Sequence, residues 1–458
     1  MIEREINSNE LLTSNRLDVV FKILYLKFKQ LNLNDLADQI YNKHIEIMTN
    51  GIFTEPNSQK KTLIDYREIF KKTFTSIKKE GFNKHISQIP ISNDGSITNG
   101  SHRLASSIFL NKKVYTTENF ERSHNYDYKF FKERGMSINL IELAVLNYIQ
   151  LSKNNYMAII WPSADKKIDY LNYFEKVIFE KKITFNVNGA HNFVSQVYRE
   201  HNWVGSFEDG YNGSIVKVSE TFKNYSFLHI VFFENDNFDE VIKLKDKLRN
   251  IFKIDKSSVH ITDNNQETND LAKLLLNENS IHFLNHAKPY KYGSVYNKLK
   301  KFKNILDSEA INLNEIILAG STSLGVYGLR EINDIDYLSS NPNLLKYGID
   351  NHNSELVHYG KTINELIYNP KHHFYFNGFK FISMESLKKF KLKRDEIKDK
   401  LDVLLIEKSN EIDLNFVILK SKNFILKQKY KLISKVIKFT KKNGLYNQAK
   451  WLYKKINS

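Results

Sequence analysis

Apolar positions recur every three or four residues in "LDVVFKILYLKFKQL" (17–31) and "YREIFKKTFTSIKKEGF" (66–82), which predicts two amphipathic helices. Between Ile86 and Thr116 the pattern shifts to short apolar runs broken by Asp94-Gly95 and Asn99-Gly100. This predicts strand, turn, short strand, Gly-rich loop, helix and strand. "YMAIIW" (156–161) reads as a buried strand, followed by a proline turn, an amphipathic helix and a second strand ending near Phe185. "FLHIVFFE" (227–234) is another strand, "FDEVIKLKDKLRNIF" (238–252) a helix, and a short strand then ends at His260 before a further helix. In "EIILAGSTSLGVYGLREINDIDYL" (315–338) the order is strand, helix, strand. Asp334 and Asp336 flank Ile335 on the second strand, so both carboxylates are expected on one face. "FYFNGFKFISMESLKKFKLKRDEIKDKLDVLLI" (374–406) reads as a strand and helices. The whole predicts a multidomain α+β chain with units at 1–150, 155–288 and 295–458, the last ending in basic helices.

Composition narrows this picture only in part. Of 458 residues, 41% are hydrophobic and 13% aromatic, enough to build a core and to exclude a disordered chain. There is no cysteine, which rules out disulfides and thiolate metal sites and fits a reducing compartment. With no uninterrupted apolar run near 18 residues, the expected location is cytoplasmic. The net charge of +16 is concentrated: no acidic residue follows Asp413, and twelve lysines lie between Lys420 and Lys455. Amphipathic helices with lysine faces are expected there, either as a solvated packed subdomain or as a contact for a membrane surface or nucleic acid.

Three places carry candidate chemistry. The loop Asn99–Arg103, "NGSHR", runs straight into a helix, where backbone N–H groups and a guanidinium suit a phosphate. Over about residues 60–120 this segment resembles the ParB/sulfiredoxin superfamily. The resemblance implies that Gly100, Ser101, His102 and Arg103 contact nucleotide phosphates. Ser101 stands where sulfiredoxins carry their reactive cysteine, so sulfinic-acid repair is not implied.

In the middle unit, "AIIWPSA", "VYREHNW" and "LRNIFKIDKSSVHITDNNQET" resemble the nucleoside-diphosphate kinases. That resemblance implies a ferredoxin-like fold in which His260 is the phosphoryl acceptor, Arg249 a phosphate ligand and Glu267 the group that orients the imidazole. An imidazole held in one tautomer by a carboxylate can accept a phosphoryl group and pass it on. Trp161 replaces the family's lysine and Ser257 its asparagine, so nucleoside diphosphates are expected to be poor acceptors.

At the third place, two converging carboxylates repel unless a cation holds them, and Mg²⁺ with oxygen ligands suits Asp334 and Asp336. The Gly320-Ser321 turn would cradle nucleotide phosphates. Hydrophobic-Gly-Ser followed by Asp-hydrophobic-Asp resembles the DNA-polymerase-β-like nucleotidyltransferases, which add a third carboxylate; Glu355 is the candidate here. Lys391, Arg394 and Lys398 share a helix side that would take phosphate or form salt bridges.

The combined resemblances imply a Mg²⁺-dependent nucleotidyltransferase fused to a phosphotransferase-like module. It would use a nucleoside triphosphate and a phosphorylated small molecule or sugar to make an activated precursor, of the kind used for surface polysaccharide. The alternatives are a nucleotide-regulated protein that binds nucleic acid or modifies RNA or protein, and a nucleotide-binding scaffold without turnover.

Overall fold

A computed structural model describes residues 4–54, 60–118, 124–165, 167–341, 344, 351–411 and 416–457. Its strands form three small sheets joined by one continuous hydrophobic core.

The first sheet contains β1 (Arg4–Asn7), β2 (Ile89–Ile91) and β3 (Lys113–Glu118) in the order β1-β3-β2. β1 runs antiparallel and β2 parallel to β3. Helix Leu17–Gln30 is the hub of this unit, packed by Asn34–Met48, Ser101–Phe109 and Ile138–Leu151. Its apolar face is nearly all buried, and it also buries a charge. Asp18 sits between Arg16 (2.8 Å) and Lys22 (3.1 Å), all three buried. Burial would raise the Asp18 carboxyl, but the two cations reverse that and hold it far below the carboxylate range.

The second sheet orders β4 (Asn155–Ile160), β5 (Lys176–Ile183), β6 (Leu228–Glu234) and β7 (Val259–Ile261) as β5-β6-β4-β7, with every neighbouring pair antiparallel. Both faces are covered, which explains the unbroken apolar run of β4. Met157 and Ile159 enter the main core, while Tyr156, Ala158 and Ile160 enter a second cluster closed by helix Phe238–Phe252. The amphipathic helix expected after Pro162 does not form. The described part of the β4–β5 connection holds only a 3-10 turn at Leu171–Tyr173, and Tyr170 and Phe174 drop onto the sheet, where they meet Phe252 and Phe233. Tertiary burial of those rings outweighs a local pattern interrupted by Pro162 and Asp165. Helices Val187–Val197 and Asn212–Thr221 lie between β5 and β6 instead.

The third sheet, β8 (Ile316–Leu318), β9 (Tyr337–Ser339), β10 (His373–Phe376) and β11 (Phe379–Ile382), has the order β10-β11-β8-β9. Where the pattern predicts one strand, β10 and β11 form a hairpin around Asn377-Gly378, both at positive φ as a tight two-residue turn requires. Helices Met384–Arg394 and Ile397–Glu411 follow. The basic helices Phe416–Lys442 and Tyr446–Asn457 then return to the middle unit. The first packs on Val187–Val197 and Asn212–Thr221, and the second is pinned by Lys450 to the buried Asp209 at 2.7 Å.

Candidate active sites

The Asp336 corner is built by the connection between β8 and β9. Gly320 opens helix Gly320–Val326 at φ +52, and a Cβ there would lie 2.3 Å from Asp336 Oδ2. A glycine is therefore required for Ser321 to reach the carboxylate, which accepts from the Ser321 N–H at 2.7 Å and its hydroxyl at 2.8 Å. The other carboxylate oxygen, Oδ1, lies 2.8 Å from His352 Nε2. Burial pulls the His352 imidazole down, but its hydrogen bond and ion pair with Asp336 more than reverse this and push it up. Burial also works against the Asp336 charge, and His352 and Ser321 overcome it to hold the carboxyl below its ordinary value.

This geometry corrects the expected carboxylate pair. β9 begins only at Tyr337, so Asp334 and Asp336 lie in its approach rather than on the strand; Asp334 is exposed and Asp336 is 5% exposed. The reason is local: Asp336 N donates to Thr322 Oγ1 at 2.9 Å and its carbonyl accepts from Ala319 N at 2.8 Å, fixing the backbone to the helix start. Glu355 is not on a later strand. It ends the turn His352–Glu355 and lies 3.6 Å from Arg394. Asp334, Asp336 and Glu355 are not gathered into a three-carboxylate group. Both oxygens of Asp336 are engaged, and among the described residues no group of three or more His, Asp or Glu is placed to hold a metal ion.

The cations expected to face phosphate are mostly consumed by carboxylates. Arg394 grips Asp399 with two contacts of 2.8 Å, and Lys391 lies 2.8 Å from Asp399 and 2.9 Å from Asp402. Asp402 also accepts from Arg330 at 2.7 Å. Against the cost of burial, Arg394 and Lys391 hold Asp399 down at about 2. Lys398 is exposed and pairs with Glu396 at 3.1 Å. This network ties the helices 384–394 and 397–411 to each other and to Arg330.

The middle site is the more complete one. His260 occupies the centre of the three-residue edge strand β7, and its Nε2 lies 2.9 Å from Glu267 Oε1. Glu267 is itself fixed, since its Oε2 accepts from Asp263 N at 2.8 Å. Asn264 caps helix Asn265–Leu275, which sets Glu267 in the first turn facing the strand end. With Nε2–H given to Glu267, Nδ1 keeps the lone pair of the neutral ring. The Tyr198 ring meets the imidazole edge-on at 5.2 Å, so "VYREHNW" does arrive at the histidine. Burial, followed by the Glu267 charge, holds the Tyr198 phenol well above its ordinary value.

Glu267 also lines a cavity of about 480 Å³, together with Arg199, His201, Lys273 and the Asn377-Gly378 turn. Arg249 is not on that wall. It lies in the last turn of helix Phe238–Phe252, 3.4 Å from Asp246, and acts on Tyr198 through its field. Arg199, which sequence reasoning passed over, is the guanidinium at the cavity, braced by Asp270 at 2.8 Å. It neighbours the quoted Tyr198, and no local pattern marks which of several arginines the fold brings to this cavity, whose wall includes Glu267 but not His260 itself. Trp161 is fully buried between Phe193 and Phe222, a core residue rather than a ligand.

In the first unit the helix begins at Ser101, so His102 and Arg103 lie within its first turn instead of a loop. Gly100, at φ +88, leaves room for the Arg103 guanidinium, which turns back to donate to the Gln88 carbonyl at 2.8 Å. His102 is bonded to Tyr41 Oη at 2.9 Å, and burial together with Lys22 and Lys60 pushes its pKa well down, keeping it neutral. Asn99, Gly100, Ser101, His102 and Arg103 all border a cavity of about 570 Å³ that Lys22 and Lys60 also line.

His352, the partner of Asp336, also escaped the sequence reading; it lies in a polar turn with no periodic signal. Compared with known proteins, the chain matches no family model, no curated protein and no solved structure, so the geometry of its own sites carries the functional reading.

Proposed function

We propose that the protein is a phosphorus-group transferase acting on nucleotides, with His260 as a phosphoryl relay. The observation that carries this is the His260–Glu267 contact beside a cavity that also holds a guanidinium and a lysine. The strand order β5-β6-β4-β7, all antiparallel, supports it as the arrangement of a ferredoxin-like sheet. In the first step, Nδ1 of His260 attacks the γ-phosphorus of a nucleoside triphosphate; the bond to the β–γ bridging oxygen breaks and the diphosphate leaves. Glu267 accepts the Nε2–H bond and stabilises the imidazolium that forms. Arg199 and Lys273, which pair with Asp270 at 2.8 and 3.8 Å, would exchange that carboxylate for phosphate oxygens on the cavity wall. In the second step an acceptor oxygen takes the phosphoryl group and restores the neutral ring. No step is routed through a metal.

The test is incubation with γ-labelled ATP. The expected product is an acid-labile, base-stable label, absent in His260→Ala and weakened in Glu267→Gln, because a phosphoramidate hydrolyses in acid whereas a serine ester does not. A wild-type protein that takes no label under any condition would remove the relay.

A second reading, nucleotidyl transfer at the third site, is favoured by one observation: Gly320 lets Ser321 meet Asp336 across the β8–β9 connection. Its acceptor would be a phosphorylated polyol or sugar, giving an activated precursor. Pyrophosphate release from the four nucleoside triphosphates, abolished in Asp336→Asn and Asp334→Asn, would support it.

A further inference from the structure

Helix Phe416–Lys442 shows two faces to two different environments. Ser434, Ile437 and Thr440 are buried on the protein side, while Leu432 (65% exposed), Val436 and Phe439 (65% exposed) face solvent. With 3.6 residues per turn, Ile425, Leu432, Val436 and Phe439 fall within an arc of about 60° on this outer side. Exposed Lys431, Lys435 and Lys442 run along one flank of that stripe and Lys429 along the other. The next helix, Tyr446–Asn457, continues the character: Trp451 is 60% exposed and Leu452 is exposed beside it. Neither helix contains an acidic residue. Lysine faces alone would have been an ordinary solvated surface, but an exposed apolar stripe bracketed by lysines is not.

We propose that this face docks on an anionic lipid bilayer surface, with the helix lying in the interface plane. The stripe would sink its apolar side chains to the headgroup–acyl boundary, while the flanking ammonium groups reach lipid phosphates and carboxylates. Charge complementarity selects a negative occupant, and the aliphatic stripe selects lipid over nucleic acid. A phosphate backbone would satisfy the lysines but leave Leu432, Val436 and Phe439 in water. No helix among the described residues is long and apolar enough to cross a membrane, so this contact is peripheral. The ion pairs Lys438–Glu220 and Lys450–Asp209 hold the two helices to the middle unit, which would bring the cavity lined by Glu267 along to the surface. The inference rests on this face alone and is independent of the phosphoryl relay.

The test is co-sedimentation of the full chain with phosphatidylcholine vesicles, with and without about one-third phosphatidylserine, at low and high salt. Binding is expected only to the anionic vesicles, reduced by salt and about tenfold weaker in the double variant Leu432→Asn/Phe439→Asn. Both side chains are mostly exposed, so that variant keeps its fold, which circular dichroism checks. A charge variant, Lys431→Gln/Lys435→Gln, should lose the preference for anionic over neutral vesicles. The proposal is overturned by no sedimentation with vesicles, by equal binding to neutral lipid, or by variants that bind as well as wild type. It is also overturned if Leu432→Asn/Phe439→Asn abolishes a dimer seen without lipid, which would make a second copy the occupant. A salt-sensitive affinity for RNA in the absence of vesicle binding would overturn it equally.

Discussion

At the scale of single residues, charge in this protein is decided by what lies within about 4 Å. His352 and Asp336 make this testable. The raised His352 contributes stability that is complete below its ordinary value of 6.5 and fades as pH rises through the folded value. The lowered Asp336 contributes stability that is present above 3.8 and fades as pH falls through its own folded value. The pair should therefore matter most between about pH 4 and 6.5. His352→Gln is expected to lower the urea midpoint more at about pH 5.5 than at about pH 8.5. Equal losses at both values would show that no ionic pairing operates there. Asp18 illustrates the same rule at a buried carboxylate, kept charged by two cations inside a helix-packed core.

At the scale of elements, short connections place the chemistry. The β8–β9 connection needs a left-handed residue at Gly320 with no Cβ, because Asp336 Oδ2 fills the space. The β10–β11 turn needs a left-handed residue at Gly378, where nothing lies within 4 Å. Gly320→Ala should accordingly combine backbone strain, about 1–3 kcal/mol, with a steric push on Asp336, whereas Gly378→Ala should show the strain alone. Chemical denaturation of both variants checks this; an equal cost would mean that the Asp336 approach contributes nothing. In the same way, β7 and helix Asn265–Leu275 share a capped turn, and that single connection fixes His260 against Glu267.

At the scale of the whole molecule, the three sheets share one core and the basic helices fold back over the middle unit. Lys450 is the tie that holds the second of them. Its partner Asp209 is 5% exposed and also accepts from Ser206 N at 3.0 Å and Asn212 N at 3.3 Å. Removing the cation leaves a buried carboxylate without its ion pair, so Lys450→Met should loosen helix Tyr446–Asn457. Trypsin should then cut within residues 446–457 several-fold faster than in wild type, with the rest of the chain unchanged. Unchanged cleavage would mean that apolar contacts alone hold the helix.

The sequence by itself determined what depends on neighbours a few residues away. Periodicity marked the helices 17–30 and 63–80, the unbroken apolar run marked β4, and the resemblance to the nucleoside-diphosphate kinases put Glu267 beside His260, where the fold has it. The Gly320-Ser321 start of a helix was likewise legible, whereas Asp336, expected on the strand, stands just before it. Tertiary structure alone decided which polar groups pair after burial. His352 reached Asp336 from a turn with no pattern, Arg394 spent its charge on Asp399 and Glu355, Arg103 turned inward, and Tyr41, 61 residues away, bonded His102. It also left Leu432 and Phe439 on the outside of a helix whose spacing would equally have allowed them inside. Local rules fix where an element forms and which side chains share a face. Desolvation and ion pairing act between elements brought together only by the core, so the sequence pattern carries no mark of them.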